Sequence, residues 1–467
     1  MTKHGMHFAL RQDGDIYSPT IRELPKNVLG AFVAARTNSS GKPIGPKGRR
    51  IQVRTQPQLT MLERLYLLLQ RSALARFFGV AILSIPALFV LCMFWWNVRA
   101  DADSALNSAQ SISPRLLPDP RLAEKTAEST QFLSEFERQD GMLLGCNELV
   151  EYHPRVMTDM VRAIHGKVEV YGLVNDSAQR QKVVSLLEQN GLPANAVEFV
   201  EIPAYGMWVR DFGPKFLRNK VGGLTMVDFA YLDRPATDGT MRTDDDKVPE
   251  QLAKMFRTSV VSIPLSMEGG NLLTNGNGVC ISTSQIVAEN SHRRYGMQEV
   301  AHILRDYFGQ EQWASLEHLP VDNTRHADTF VMFTSPDTVV VASCDPKEDA
   351  ASAAVMDKAA EQLSKINFMG KPLRVVRIPM TLKGDEAVRT YTNVVFANGT
   401  LLVPQYADAG PGMNEQALKI YRETMPGWNV VGIECLSVAR KGGSLHCITC
   451  NVPSPSLAPL DLDQGGE

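Results

Sequence analysis

Five short β-rich runs in this chain end alike, and their even spacing limits the fold more than any single motif. Val197–Pro203, Val260–Pro264, Leu316–Pro320, Leu373–Pro379 and Val430–Glu434 close on residues 61, 56, 59 and 55 positions apart. A near-constant period of this length marks a repeat architecture. A helix-like stretch precedes each run: Asp176–Asn190, Lys247–Phe256, Gly296–Phe308, Lys347–Lys365 and Met413–Thr424. Further strands are expected after them, as at Ser335–Ser343 and Thr400–Gln405. Five α/β units whose helices must pack outside predict a closed ring with its strands around a central axis. A doubly wound sheet is the competing arrangement. The ring is favoured because the unusual polar clusters come just after the closing residues, which in a ring converge on one mouth.

The 467 residues have a net charge of −3 that hides an asymmetry. Residues 1–76 carry 13 Lys/Arg against 4 Asp/Glu, which leaves −12 for the rest. The basic end leads into Phe77–Trp96, twenty uncharged residues flanked by Arg71 and Arg76 before and Arg99 after. Twenty residues of helix span about 30 Å, the thickness of a bilayer's hydrocarbon core. The expectation is a single transmembrane helix, with Trp95 and Trp96 as interfacial anchors and the basic tail held in the cytoplasm. A cleaved signal peptide and a buried soluble helix compete with that reading, although a signal's apolar region is shorter and lacks so long a preamble. The domains expected are a basic cytoplasmic tail (1–76), a transmembrane helix (77–98), a linker (99–131), a catalytic domain (132–453) exported from the cytoplasm, and a disordered tail (454–467). No nucleic-acid partner is expected.

Four polar clusters follow the repeat ends. They are Trp208-Val209-Arg210-Asp211-Phe212-Gly213-Pro214, Glu268-Gly269-Gly270-Asn271, Arg325-His326-Ala327-Asp328 and Gly442-Gly443-Ser444-Leu445-His446-Cys447. Singly, each has an ordinary structural explanation: Trp208 as core, Asp211 as a turn cap, His326 as a satisfied histidine, Cys447 as a small buried hydrophobe. Four at equivalent places in four repeats are harder to dismiss. Cys447-x-x-Cys450 has redox spacing, but the residues after it read as strand, and the remaining cysteines are too scattered for a zinc site. If that run is a strand, His446 points away from the thiol. A thiol, an imidazole and three carboxylates suit attack on a cation, since carboxylates bind a planar guanidinium bidentately. Asp211 and Asp328 would hold it with its carbon facing the sulfur, and His326 or the cation's own charge would activate the thiol.

In this order W-x-R-D-x-G-P, E-G-G-N, H-x-D and G-G-x-x-H-C-I-T resemble the agmatine deiminase and bacterial peptidylarginine deiminase family of guanidine-modifying enzymes. The resemblance runs from about Phe136 to Val452 and takes in Tyr391-Thr392-Asn393 and Val403-Pro404-Gln405. It implies a five-bladed, pseudo-fivefold β/α propeller. It further implies Cys447 as nucleophile, His326 as general acid/base, Asp211 and Asp328 as guanidinium ligands, with Trp208 beside them, and Glu268 as a carboxylate supporting His326. The implied reaction converts the guanidine of agmatine, or of an arginine side chain in a peptide, to a ureido group without metal or organic cofactor. Two residues depart from the pattern. Arg325 stands where glycine is usual and is expected to lower the pKa of His326 or alter the substrate, and Cys450 stands where glutamine is common and could pair with Cys447. An amidino-transferring relative, or a membrane-anchored interaction or thiol-redox protein, are the alternatives.

Overall fold

The computed structural model describes residues 130–231, 243–385, 387–456, 458, 460 and 462. The basic tail, the 77–98 segment and the linker up to residue 129 lie outside the described residues. Among the described residues, no helix is long and apolar enough to cross a membrane.

Within them one pattern recurs in five mixed sheets. A strand pairs antiparallel with the next, the chain crosses over through a helix, and a third strand returns parallel to the second. Lys215–Asn219, Leu224–Ala230 and Ser259–Ser266 form one such set. Leu273–Thr274, Val279–Thr283 and Gln312–Leu316 form the next. Val331–Ser335, Thr338–Ser343 and Arg374–Thr381 follow, then Val395–Ala397, Thr400–Gln405 and Asn429–Glu434. The remaining sheet joins both ends of the domain: Thr449–Pro453 lies antiparallel to Gln139–Leu144, which continues parallel to Glu169–Val174 and then Glu198–Glu201. Parallel pairing requires a long crossover, and in every unit that crossover contains a helix.

Sequence chemistry sets the ends of those helices. Asp176 caps Ser177–Gln189 by accepting from the Gln179 N–H at 2.8 Å, and Asp349 caps Ala350–Ser364 by accepting from Ser352 at 2.7 Å. Each satisfies a backbone donor that the first turn leaves free. Met297–Phe308 stops at Gly309, whose φ of 65° only glycine adopts without cost. Pro154–Ile164 buries Val156, Met157, Met160, Val161 and Ile164, one face at helical spacing. All five expected helices are present within three residues at either end, and Met413–Thr424 and Thr400–Gln405 have the bounds expected.

The first residues past 453 are tied down: Arg218 donates to the Ser454 and Ser456 carbonyls. Each polar cluster lies beyond the carboxyl end of a unit's last parallel strand, where open α/β architectures place their ligands.

Candidate active site

Asp211 sits on the short helix Val209–Phe212, whose tight turn buries its carboxylate. Gly269–Asn271 forms a 3₁₀ turn after Glu268. Gly270 must be glycine: a Cβ there would lie 2.8 Å from His326 Nδ1 and 2.9 Å from both Asp211 Oδ1 and Asp328 Oδ2. Three groups from two units therefore surround one point, which a glycine of a third unit leaves open. The Gly270 N–H donates to Asp211 Oδ1 at 3.2 Å, and the Asp328 N–H donates to the Gly270 carbonyl at 3.3 Å. Asp322 braces the third loop by accepting from the His326 N–H and the Thr329 hydroxyl.

His326 Nε2 lies 2.6 Å from Glu268 Oε2, while Nδ1 has no hydrogen-bond partner and lies 3.6 Å from Asp211 Oδ1. Asp328 Oδ1 is likewise buried without a partner. Cys447 Sγ lies 3.9 Å from Asp328 Oδ2, and the Asn393 amide nitrogen reaches it at 3.4 Å. The orientation of that amide follows from its oxygen accepting the His446 N–H at 2.9 Å. Trp208 is half-buried and packs on Gly443, where a Cβ would meet its ring at 2.3 Å and the Cys447 Cβ at 3.0 Å. Positive φ falls instead on Gly442, at 96°.

Charges in this site are unbalanced. Burial pushes the Asp211 carboxyl up; His326 opposes that, Glu268 and Asp328 add to it, and the result is about 7. Burial works against a charged His326, but Asp211, Glu268 and Asp328 outweigh it and raise its pKa well above the usual value. Burial, then Asp328 and Asp211, push the Cys447 thiol up as well. Asp211, Glu268 and His326 offer atoms within 4.8 Å of one another, a spacing a divalent cation could use. The 2.6 Å His326–Glu268 contact uses it as an ion pair.

Three expectations need correction. The strand begins at Thr449, and residues 445–448 form a turn, so His446 does not follow strand alternation. It is fully buried, with Nδ1 2.7 Å from Asp328 Oδ2 and Nε2 2.9 Å from Glu135 Oε2. Arg325 does not lower His326: its guanidinium points to Gln285 Oε1 at 3.1 Å, and the His326 shift is upward. Cys450 is a free thiol aimed at the Pro214 carbonyl, 3.4 Å away.

Sequence reasoning missed Glu135, Arg210 and His446 as a unit. Arg210 donates to both Glu135 oxygens and to Asn451, and Glu135 in turn faces His446. Burial would raise Glu135, but Arg210 and His446 prevail and hold its carboxyl far below the usual range. Asn393 was within reach of the repeat logic, since it stands after the one repeat end given no cluster.

Residues 131–453 match the family described as Porphyromonas-type peptidyl-arginine deiminase. The agmatine deiminase of Stutzerimonas stutzeri strain A1501 is 27% identical over 292 residues, 56% of this chain and 77% of that protein. Among solved structures, the agmatine deiminase of Enterococcus faecalis superposes with a TM-score of 0.63 at 21% identity, covering 71% of this chain and 98% of that one. C. jejuni agmatine deiminase gives 0.57 at 24%, covering 70% and 96%. The fold is theirs, and the match over most of the described domain settles the lineage: this chain belongs to the Porphyromonas-type peptidyl-arginine deiminase family, hydrolases acting on carbon–nitrogen bonds of amidines.

Proposed function

We propose that the domain hydrolyses a guanidinium, on a small agmatine-like amine or on an arginine side chain of a peptide, to a ureido product and ammonia. One observation carries the reading. Asp211, Asp328 and His326 surround a single point, two of their buried polar atoms, His326 Nδ1 and Asp328 Oδ1, lack partners, and the other Asp328 oxygen lies 3.9 Å from the Cys447 sulfur. A planar cation with several N–H donors would supply the Asp328 oxygen with a donor and relieve the carboxylate repulsion. Trp208 would line its face.

The guanidinium neutralises Asp211 and Asp328, the two charges that raise the thiol, and sets a positive carbon against the sulfur. Binding thus lowers the thiol pKa in the complex. The thiolate adds to the guanidinium carbon, and protonated His326 gives its Nδ1 proton to the departing nitrogen, so ammonia leaves and a cationic thiouronium remains. Neutral His326, held by Glu268, then takes a proton from water as its oxygen adds to that carbon. Collapse releases the ureido product and regenerates the thiolate, the hydroxyl proton passing to solvent or to the departed ammonia as ammonium, while His326 stays protonated for the next turnover.

The five-bladed ring is part of the proposal, supported by five repeated units whose loops meet at one site. So is a membrane anchor at 77–98 with the domain exported, supported by the uncharged run behind a basic tail. Protease added outside intact cells should then digest the domain; protection would refute export.

The activity test uses folded, reduced full-length chain with agmatine and with an arginine-containing peptide side by side. Ammonia from one of them identifies the substrate class. Ammonia from neither, with Cys447 still titratable by a thiol reagent, would sink the proposal.

A further inference from the structure

Three residues beyond Cys447, Cys450 is aimed at the Pro214 carbonyl and lines a narrow cavity of about 40 Å³, together with Ser134, Glu135, Gln139, Arg210 and Lys215. Apart from Thr274 and Asn451 its other walls are apolar, among them Phe132, Phe136 and Phe333. Lys215 is only 6% exposed. Its methylenes run past Gly269, whose Cβ would sit 3.6 Å from Lys215 Cε.

Partners for charge are already taken here. Arg210 spends its guanidinium on Glu135, Asn451 and the His446 carbonyl. Glu135 spends its oxygens on Arg210 and His446. The Lys215 ammonium has no hydrogen bond or ion pair among the described residues. A second donor in the same cavity, the Ser134 hydroxyl, is buried and unpartnered too. Buried charges are ordinarily paired, because an ion taken out of water and left alone is costly. Burial, then Arg210, lower the Lys215 pKa, with Glu135, Cys450 and Asp328 opposing, and it settles at about 8. Deprotonation therefore does not relieve the charge at neutral pH, and a counter-ion remains.

We propose that this cavity binds a small monovalent anion, of the size of chloride or bicarbonate, held by the Lys215 ammonium and the Ser134 hydroxyl. The volume suits an ion of a few atoms with a water and is too small for a second organic substrate. The Gln139 amide oxygen, an acceptor without a partner, would accept a hydrogen bond from that water. The site is independent of the deiminase reading, since none of its donors touches Cys447.

The test follows thermal unfolding of the full-length chain at pH 7 and fixed ionic strength while gluconate, too large to enter, is replaced by chloride or, separately, bicarbonate. Wild type should gain in midpoint and saturate, as linked binding requires. Lys215→Met should not respond, and the anion saturating at the lower concentration names the preferred ligand. A flat wild type, or a variant that rises in parallel, overturns the proposal. Should Lys215→Met fail to fold, Ser134→Ala decides: the half-saturating concentration should rise several-fold, and an unchanged value overturns it. The sign with pH is also fixed. A lysine depressed on folding leaves the native state binding fewer protons between about 8 and its unfolded value, so stability in gluconate climbs as pH rises through that window. Chloride should flatten the climb, and an equal climb in both salts counts against the site.

Discussion

Two pairs of aspartates in this molecule invite comparison: one holds a guanidinium, and the other would take one on the proposed function. Arg389, fully buried, places its five donors on Asp385, Asp408 and the Ala387 carbonyl, at 2.7 to 2.8 Å. Its hydrogen bonds hold both carboxyls below the usual range. Asp211 and Asp328 are more deeply buried, with no arginine between them, and Asp211 is pushed up to about 7. The residue type is the same and the shift is opposite. The first pair is a clamp that fixes two loops; on the proposed function the second, with a thiol beside it, gains by binding what the clamp contains.

The sharpest way to break this comparison is to remove the sulfur, which the clamp lacks. Cys447→Ala should cost about a thousandfold or more in ammonia release. The variant should still bind substrate, since the acids remain. Binding should also release a proton near pH 6 to 7, as the incoming cation moves Asp211 down the way Arg389 moves Asp385. Calorimetry of the variant in buffers of different ionisation enthalpy reads this. Binding without proton release would mean that the two pairs do not work alike.

Next in size is Asp328→Asn, expected to lower kcat/KM about a hundredfold, because Asp328 faces the thiol and His446 together. His446→Gln should follow at roughly tenfold, mainly in KM, because it releases Asp328 without touching the reacting atoms. A loss confined to kcat would instead place His446 in the chemistry. For wild type, kcat/KM for a cationic guanidine should rise with pH through about 7 as Asp211 ionises, and Asp211→Asn should abolish that limb.

On the filled side, Arg389→Met leaves two acids without their cation. Asp385 and Asp408 are partly exposed and regain water, so the cost is expected near 2 kcal/mol, below that of a fully buried pair. A lower thermal midpoint with unchanged kcat in the folded fraction would keep the clamp structural.

What could be read from the chain divides along similar lines. Helix periodicity and strand patterning are local, which is why Met413–Thr424 and Thr400–Gln405 were legible to the residue, although the strand read at Leu316–Pro320 lies earlier, at Gln312–Leu316; the clusters at Asp211, Glu268, His326 and Cys447 followed from their place in the repeat. Glu135 was not legible, because its partner His446 is 311 residues away and no motif marks it. His446 was misread for a different reason: side-chain alternation holds in strands, and the turn before Thr449 breaks it. Lys215, one residue past the Trp208–Pro214 cluster, carries no motif, and its burial shows only in the fold.

The smallest expected effect concerns Arg325, which the sequence makes look important. It adopts a φ of 61°, a left-handed conformation costing an arginine about 1 kcal/mol that glycine would not pay. Against that, Arg325→Gly loses the part-buried hydrogen bond to Gln285 and gives the unfolded chain more freedom, each worth roughly 0.5–1 kcal/mol. These terms nearly cancel, so stability should move by no more than about 1 kcal/mol. Activity should stay within twofold, because the guanidinium is turned to Gln285 while the charge on His326 is set by Asp211, Glu268 and Asp328. The informative measurement is kcat/KM for two guanidines, one with a carboxylate at its far end and one without. If the glycine variant changes their ratio tenfold, Arg325 reads the substrate, and a third guanidinium joins the comparison as one that faces a ligand.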